Sequence, residues 1–210
     1  VAKANLGAEQ KRLAHAVDIA KRQVRALQSR ARKVPGAAGE EMSILFDAYL
    51  AMLGDSRLVR GAHARIADRH QNAEAAVQGE LANISEQFHA MEDAYLAARL
   101  DDIREVSNRL LRNLLRAPAK RTVKPTKDSI VVTDLLTPAD MALIDPKRVL
   151  GVLAQLGGRA GHAAIMARAL GLPAVMGVAD VLDKVRPGDT VIVDGHAGVV
   201  VVNPSPQTLE

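Results

Sequence analysis

The sequence predicts an antiparallel helix bundle followed by a small α/β domain, which is an α+β arrangement of two subdomains. Up to about residue 117, apolar residues recur every three or four positions and prolines are nearly absent, as in amphipathic helices. After Pro118, short β-branched runs separated by turn residues predict strands. Residues 118–125 are polar and bounded by prolines, so they are expected to connect the two parts.

The first part is predicted to contain successive helices joined by short turns, which is the pattern of an antiparallel bundle. Pro35-Gly36 ends the first helix, and Gly54-Asp55 ends the second. Asp55 or Ser56 is expected to cap the third. The helical stripes cover about residues 8–32, 44–53, 58–66, 72–91 and 93–115.

The second part alternates strand and helix signals, which is typical of an α/β domain. Asp194 to Gly198 separates the last two strand runs and predicts a hairpin turn. Predicted strands lie at 130–132, 149–152, 174–176, 190–193 and 199–202, and helical pieces at about 138–144, 162–170 and 178–185. The expected domains are therefore 1–117, a helical bundle, and 126–210, the α/β part.

Composition excludes several classes of protein. A hydrophobic content of 48% allows a packed core, although the aromatic content is only 2%. With no cysteine, the chain has no disulfide, zinc–thiolate site or thiol nucleophile. The net charge of +4 is modest and acids are interleaved with the bases, so nucleic-acid binding is disfavoured. Without an apolar run long enough to span a membrane or an apolar leader, the chain is expected to be cytoplasmic.

The strongest functional signal is the glycine-rich segment that leads into the predicted helix 162–170. Gly157-Gly158-Arg159 permits a tight turn, and His162 stands where the helix begins. Backbone N–H groups at a helix N-terminus favour an anion, and a nearby guanidinium adds charge-assisted hydrogen bonds. An isolated histidine is more often a capping or core residue, but this whole segment favours an imidazole that carries a phosphoryl group.

The segment resembles the phosphohistidine domain, also called the swivelling domain, of the phosphoenolpyruvate-utilising enzymes. The pattern of that family is roughly G-G-x-x-S-H-x-x-I-x-A-R-x-x-x-x-P-A. The matching positions are Gly157, Gly158, His162, Ile165, Ala167, Arg168, Pro173 and Ala174. The family comprises Enzyme I of the sugar phosphotransferase system, pyruvate phosphate dikinase and phosphoenolpyruvate synthase.

The helical half resembles Enzyme I within that family. Residues 40–58 contain an acidic stretch followed by Ile-Leu-Phe and Leu-Gly-Asp, and residues 93–111 look like the family's Y-L-x-x-R-x-x-D-[IVL]-R-x-x-x-x-R-[LV]. Dikinases and synthases have no comparable bundle there. Phe46-Asp47-Ala48-Tyr49 and residues 162–173 look closer to the nitrogen-related form of Enzyme I than to the sugar form.

The resemblance implies that His162 is the nucleophile that becomes phosphohistidine. By its position in the motif, Arg159 is expected to stabilise the transferred charge. The backbone at Gly158, Gly161 and Ala163 is expected to bind phosphate. No metal or cofactor site is expected in this chain.

The resemblance also implies partners. The bundle of Enzyme I docks a small histidine-containing carrier, of the HPr type or its nitrogen-related counterpart NPr. Candidate docking residues here are Glu40, Glu41, Met52 and Arg57. A separate C-terminal barrel binds phosphoenolpyruvate and Mg²⁺ and carries the dimer contacts. The family's first strand is missing before Leu6 and no barrel-sized sequence follows. We therefore expect a monomeric N-terminal portion that cannot use phosphoenolpyruvate alone.

Several positions depart from the family pattern. Ala160-Gly161 replaces the usual Thr-Ser before the histidine, and Met141 replaces a threonine that orients the imidazole in the sugar form. Ser56 and Arg57 replace acidic residues expected after the second helix. Two alternatives stay open: a swivelling domain of a dikinase or synthase, and a regulator that binds the carrier without transferring phosphate.

Overall fold

A computed structural model describes residues 1–89, 94–116, 126–159 and 161–209, with side chains described except at residues 89 and 94–98. The chain forms two compact units. The helical unit comprises Val1–Ser29 and Ser43–Arg121, and the α/β unit comprises Arg30–Met42 and Thr122–Glu210. The end of the first helix and the start of the second thus group with the α/β unit. The expected connector, 118–125, lies outside the described residues.

The predicted helices of the first part are confirmed. Each observed helix overlaps one of the predicted apolar stretches. The ends agree to within a few residues except at α2, which begins at Ala37, whereas the predicted stretch begins at residue 44. In the described part of the chain, a 3₁₀ turn at Lys3–Asn5 precedes α1 (Leu6–Ala31), α2 (Ala37–Met52), α3 (Arg57–Arg69), α4 (Ala73–His89) and α5 (Ala94–Leu114).

The helix ends follow the capping chemistry of the sequence. Ser56, not Asp55, caps α3: its Oγ accepts a hydrogen bond from Val59 N at 3.3 Å. His70 ends the same helix in the left-handed conformation, with φ of 52°. Phe46 and Tyr49 are fully buried, as expected of core aromatics. The local sequence therefore determines where α3 starts and which face of α2 is buried.

A buried carboxylate joins α3 to α4. Glu80 is 6% exposed and accepts from Arg65 Nε at 2.9 Å, while Arg57 Nε lies 3.6 Å from its other oxygen. Gly61 on α3 makes room for this group, because a Cβ there would stand 2.4 Å from the Glu80 carboxyl carbon. Gly79 similarly faces the Arg65 guanidinium. Two glycines thus let the helices approach closely around one ion pair.

The adjacent acidic residues Asp101 and Asp102 differ in their exposure to solvent. Asp101 is exposed on α5, whereas Asp102 is only 3% exposed. Asp102 accepts a hydrogen bond from the buried Tyr49 hydroxyl at 3.3 Å. Burial, and then the negative charge of Asp102, raise the pKa of Tyr49, so the hydroxyl stays protonated and serves as the donor.

The second part is the predicted α/β domain. β1 (Ser129–Leu135), β2 (Val149–Leu156) and β3 (Ala174–Met176) form a parallel sheet in the order β1-β2-β3. β4 (Val191–Asp194) pairs antiparallel with β5 (Val199–Val202) across the predicted hairpin. The helices are α6 (Pro138–Met141), α7 (His162–Ala169), α8 (Val181–Lys184) and the unpredicted α9 (Pro206–Leu209).

The core of this unit surrounds β2. Leu153, Val175 and Val181 are its buried centre, and half-buried valines of the hairpin pack against them. β2 is buried at nearly every position from Val149 to Ala154 because it has a hydrogen-bonded neighbour on each side. No helix in the described ranges is both long and apolar enough to cross a membrane.

The close approach of α3 and α4 predicts the effect of a methyl group at Gly61. We expect Gly61→Ala to lower the free energy of unfolding by about 1–3 kcal/mol, because Glu80 must move away from Arg65. Gly7→Ala is the matched control, because no atom lies within 4 Å of its added Cβ. Urea unfolding measures both, and equal stability of the two variants would contradict the prediction.

Candidate phosphohistidine site

The candidate site lies at the carboxyl end of the parallel sheet. β2 ends at Leu156, and residues 157–161 lead from it to α7. Val178 N donates to Ala154 O at 3.1 Å, so the chain leaving β3 runs beside the end of β2. A Cβ on Gly157 would stand 3.9 Å from the Cβ of Met176. The loop therefore begins where two strands end, which is the usual place for a ligand in an open α/β sheet.

The loop reaches the helix through a short turn. Gly157 has φ of +105°, a conformation open mainly to glycine. Gly161 N donates to Gly158 O at 3.1 Å, which closes the turn. Gly161 is the N-cap of α7, in extended conformation and with no side chain to cap the helix. This geometry brings the chain directly from β2 into α7, and Ala160 lies outside the described residues.

The first turn of α7 offers backbone donors to an anion. The N–H groups of Ala164 and Ile165 both bond to Gly161 O, at 3.0 and 3.1 Å. The N–H of Ala163 precedes them, in the part of a helix where amides have no intrahelical acceptor. The partial positive charge of the helix N-terminus acts at the same place. Gly158 and Arg159, both exposed, lie in the loop just before it.

His162 has its backbone in α7, and the residue is partly exposed to solvent. It is the first residue of α7 and is half-buried. The next turns are anchored, since Ala163, Ala164, Met166 and Ala167 are all buried. A rigid backbone with a partly exposed imidazole suits a group that must meet two different reactants.

The segment before the site is built around Thr137 and Pro138. Thr137 Oγ1 accepts from Asp140 N at 3.2 Å, while Asp140 Oδ2 accepts from Thr137 N at 3.0 Å, which completes a capping box. Met141, the last residue of α6, is 1% exposed. α6 packs beside α7. The thioether thus fills core space where the sugar form is expected to have a hydroxyl.

The four candidate docking residues belong to two different units. Glu40 and Glu41 are exposed near the start of α2, in the stretch that groups with the α/β unit. Met52 ends the same helix and belongs to the helical unit. Met52 and Arg57 both line a groove in the helical unit.

That groove is a concave surface formed by described residues of the helical unit. Its volume is about 230 Å³. Its described lining is mostly apolar and comprises Met52, Ser56, Arg57, Leu58, Ile84, Phe88, Arg99 and Ile103. Phe88 is half-buried and lines the groove. Sequence reasoning missed the members from α4 and α5, because only the packing of the bundle brings them next to α3.

The groups that this chain supplies at the candidate site are an imidazole and backbone N–H donors. In the part of the chain that the structure describes, no three His, Cys, Asp or Glu side chains are grouped so as to hold a metal ion.

Comparison with known proteins gives consistent matches along the chain. Residues 1–99 match the family model described as "PEP-utilising enzyme, N-terminal", and residues 125–198 match "PEP-utilising enzyme, mobile domain". The phosphoenolpyruvate-protein phosphotransferase of Geobacillus stearothermophilus is 36% identical over 206 residues, which are 98% of this chain and 35% of that protein. The chain therefore spans about a third of the length of such relatives.

Two solved structures cover the whole chain. A solution structure of an Enzyme I protein aligns with a TM-score of 0.80 at 32% identity. The alignment includes 100% of this chain and 83% of that structure's chain. The N-terminal domain of "Enzyme 1 - Nitrogen" aligns with a TM-score of 0.61 at 34% identity. The alignment includes 100% of this chain and 84% of that structure's chain. The helical part followed by an α/β domain is thus shared with both.

An added methyl group is predicted to affect stability differently at the two adjacent glycines of the loop. Gly157→Ala should destabilise the α/β unit by about 1–3 kcal/mol, because alanine is strained at φ of +105°. Gly158→Ala is the matched control, since no atom lies within 4 Å of its added Cβ. Denaturant unfolding tests the pair, and a Gly158 variant as unstable as the Gly157 variant would refute this account of the loop.

Proposed function

The chain belongs to the phosphoenolpyruvate-utilising enzymes, as an N-terminal domain of the Enzyme I type, and on that premise we propose that His162 carries a phosphoryl group. The group would pass between a phosphoenolpyruvate-binding domain and a small histidine phosphocarrier. The observation that supports this most is the place of His162 as the first residue of α7, directly after the glycine loop.

The proposed step exchanges one phosphorus–nitrogen bond for another. A ring nitrogen of neutral His162 attacks the phosphorus of the carrier's phosphohistidine. The bond to the carrier's imidazole breaks, and its electron pair returns to that ring. Each ring keeps the proton on its other nitrogen, so the carrier leaves as neutral imidazole and no other base is required. Since both linkages are of one kind, the transfer is reversible.

Backbone and guanidinium donors would stabilise the phosphoryl group in flight. The N–H of Ala163 and the backbone of Gly158 stand on the approach to the helix N-terminus, and Gly161, whose N–H donates to Gly158 O, closes the turn between them. The exposed Arg159 supplies a mobile positive charge beside them. Such positioning and charge stabilisation provide most of the catalysis in phosphoryl transfer.

The carrier is proposed to dock on the groove of the helical unit. The groove combines an apolar floor with half-buried edges, which is the character of a protein-binding patch. Met52 and Arg57 line this groove, and the exposed Glu40 and Glu41 near the start of α2 remain candidate docking residues.

Further parts of the activity are proposed for the full-length enzyme. Phosphoenolpyruvate and Mg²⁺ would be bound by a separate domain of the same polypeptide, and dimerisation would be a property of that domain. The absence of cysteine suits a protein working in the cytoplasm. Carriers of the sugar type (HPr) and of the nitrogen type (NPr) are both candidate partners.

The test is intact-mass spectrometry of the chain after mixing with a phosphorylated carrier of each type. We expect the gain of one acid-labile phosphoryl group on the wild type and its loss in His162→Ala. His196→Ala is the matched control, because His196 is exposed in the hairpin turn of the same unit and should leave the gain intact.

The outcomes separate the alternatives. Phosphorylation that survives in His162→Ala would overturn the role of His162. Binding of a carrier without any transfer would favour the regulator, and neither binding nor transfer would favour a swivelling domain that serves a nucleotide site. The faster of the two donors identifies the branch of the enzyme family.

A further inference from the structure

We propose that two leucines at the carboxyl end of the parallel sheet, Leu135 and Leu156, form an apolar contact that seats the phosphoenolpyruvate-binding domain against His162. This inference rests on the proposed function, because it takes that domain of the same polypeptide as the phosphoryl donor. The contact lies on one defined face of the sheet, beside the glycine loop.

The two leucines are neighbours in the sheet. Leu135 is the last residue of β1 and Leu156 the last residue of β2, and their Cα atoms are partners in the parallel ladder. Because side chains alternate between the faces of a strand, both belong to the face that also carries Val152 and Ala154. The core residue Leu153 belongs to the opposite face. The pair therefore points away from the packed centre of this unit.

The part of this face next to the site is open to solvent. Val152 and Ala154 are fully buried, whereas Leu156 is 56% exposed and Leu135 is 43% exposed. The glycine loop follows Leu156 directly and leads to His162. Single exposed leucines are ordinary on a protein surface. These two adjoin each other, at the base of the loop that carries the residue a reactant must reach.

Charged residues flank the pair along the chain. Asp134 precedes Leu135, and Arg159 lies in the loop that follows Leu156; both are exposed. An apolar centre with a polar rim is the usual build of a surface that binds another protein. Removing the two leucines from water on docking is favourable by the hydrophobic effect.

The small size of the contact indicates a tethered partner. Stable contacts between separate proteins bury about 1,200–2,000 Å² of surface in total, of which two partly exposed leucines supply only a small part. A domain on the same polypeptide is held at an effective concentration on the order of millimolar, so a small contact is enough to seat it and lets it leave again. The Geobacillus relative has room for such a domain, since the matched residues are 35% of its length.

The first test compares two phosphoryl donors in the full-length enzyme by intact-mass spectrometry at short times. We expect Leu135→Ser combined with Leu156→Ser to slow phosphorylation by phosphoenolpyruvate roughly tenfold, because hydroxyls replace the apolar contact. Exchange with a phosphorylated carrier should be unchanged. Methionine at both positions keeps the contact apolar and should keep the rate.

Leu150→Ser is the matched control for these variants. Leu150 lies on the same strand and face as Leu156 and is 55% exposed, but it stands at the amino end of β2, away from the loop. Its substitution should leave both reactions at the wild-type rate.

The second measurement does not depend on phosphoryl transfer. Hydroxyl-radical footprinting reports the solvent exposure of individual side chains. Leu135 and Leu156 should be severalfold less reactive in the full-length enzyme with phosphoenolpyruvate and Mg²⁺ than in the 210-residue chain alone. Leu150 should be equally reactive in both.

Several outcomes would overturn the inference. They are unchanged reactivity of Leu135 and Leu156 in the full-length enzyme, no slowing in the double serine variant, and equal slowing with both donors, which indicates a general disturbance of the site. Slowing with the carrier alone would make the carrier the occupant, and protection that grows with the concentration of the 210-residue chain would make it a second copy. A wild type that accepts phosphate from neither donor removes the phosphoryl-carrier function, while the footprint still decides the contact.

Discussion

The position of β2 between two parallel neighbours is the constraint on which the candidate site depends. Both edges of β2 are hydrogen-bonded and its side chains from Val149 to Ala154 are almost all buried, so its end cannot shift without disturbing the core. The chain must then leave the sheet at Leu156 and enter α7 within five residues, 157–161. The glycines of this loop permit the tight turn, and the turn places His162 at the start of α7.

A second constraint organises the helical unit. The carboxylate of Glu80 is buried between α3 and α4, and a buried charge is costly unless it is paired. Arg65 supplies the closer partner, and Gly61 leaves the space for it. The same carboxylate lies near Arg57 at the groove, so helix packing and the charge at the groove are coupled through one residue.

Helix and strand positions were predictable because their signals are local. Apolar spacing along α1 to α5 and the β-branched runs of β1 to β5 are properties of neighbouring residues, and the structure confirms them. Whether an individual polar side chain is buried or exposed was not predictable. Asp101 and Asp102 look alike in the sequence, yet only Asp102 turns inward to meet Tyr49. Such a difference depends on which helix lies opposite.

The sequence by itself determined the two-part architecture, the family and the motif that contains His162, because periodicity and ordered motifs survive without tertiary contacts. The tertiary structure alone decided the groove, since Arg57, Phe88 and Arg99 are distant along the chain and meet only when α3, α4 and α5 pack. Glu40 and Glu41 are not among the described residues that line it. Contacts between distant residues depend on the relative placement of whole elements, and that information is not held in any single stretch of sequence.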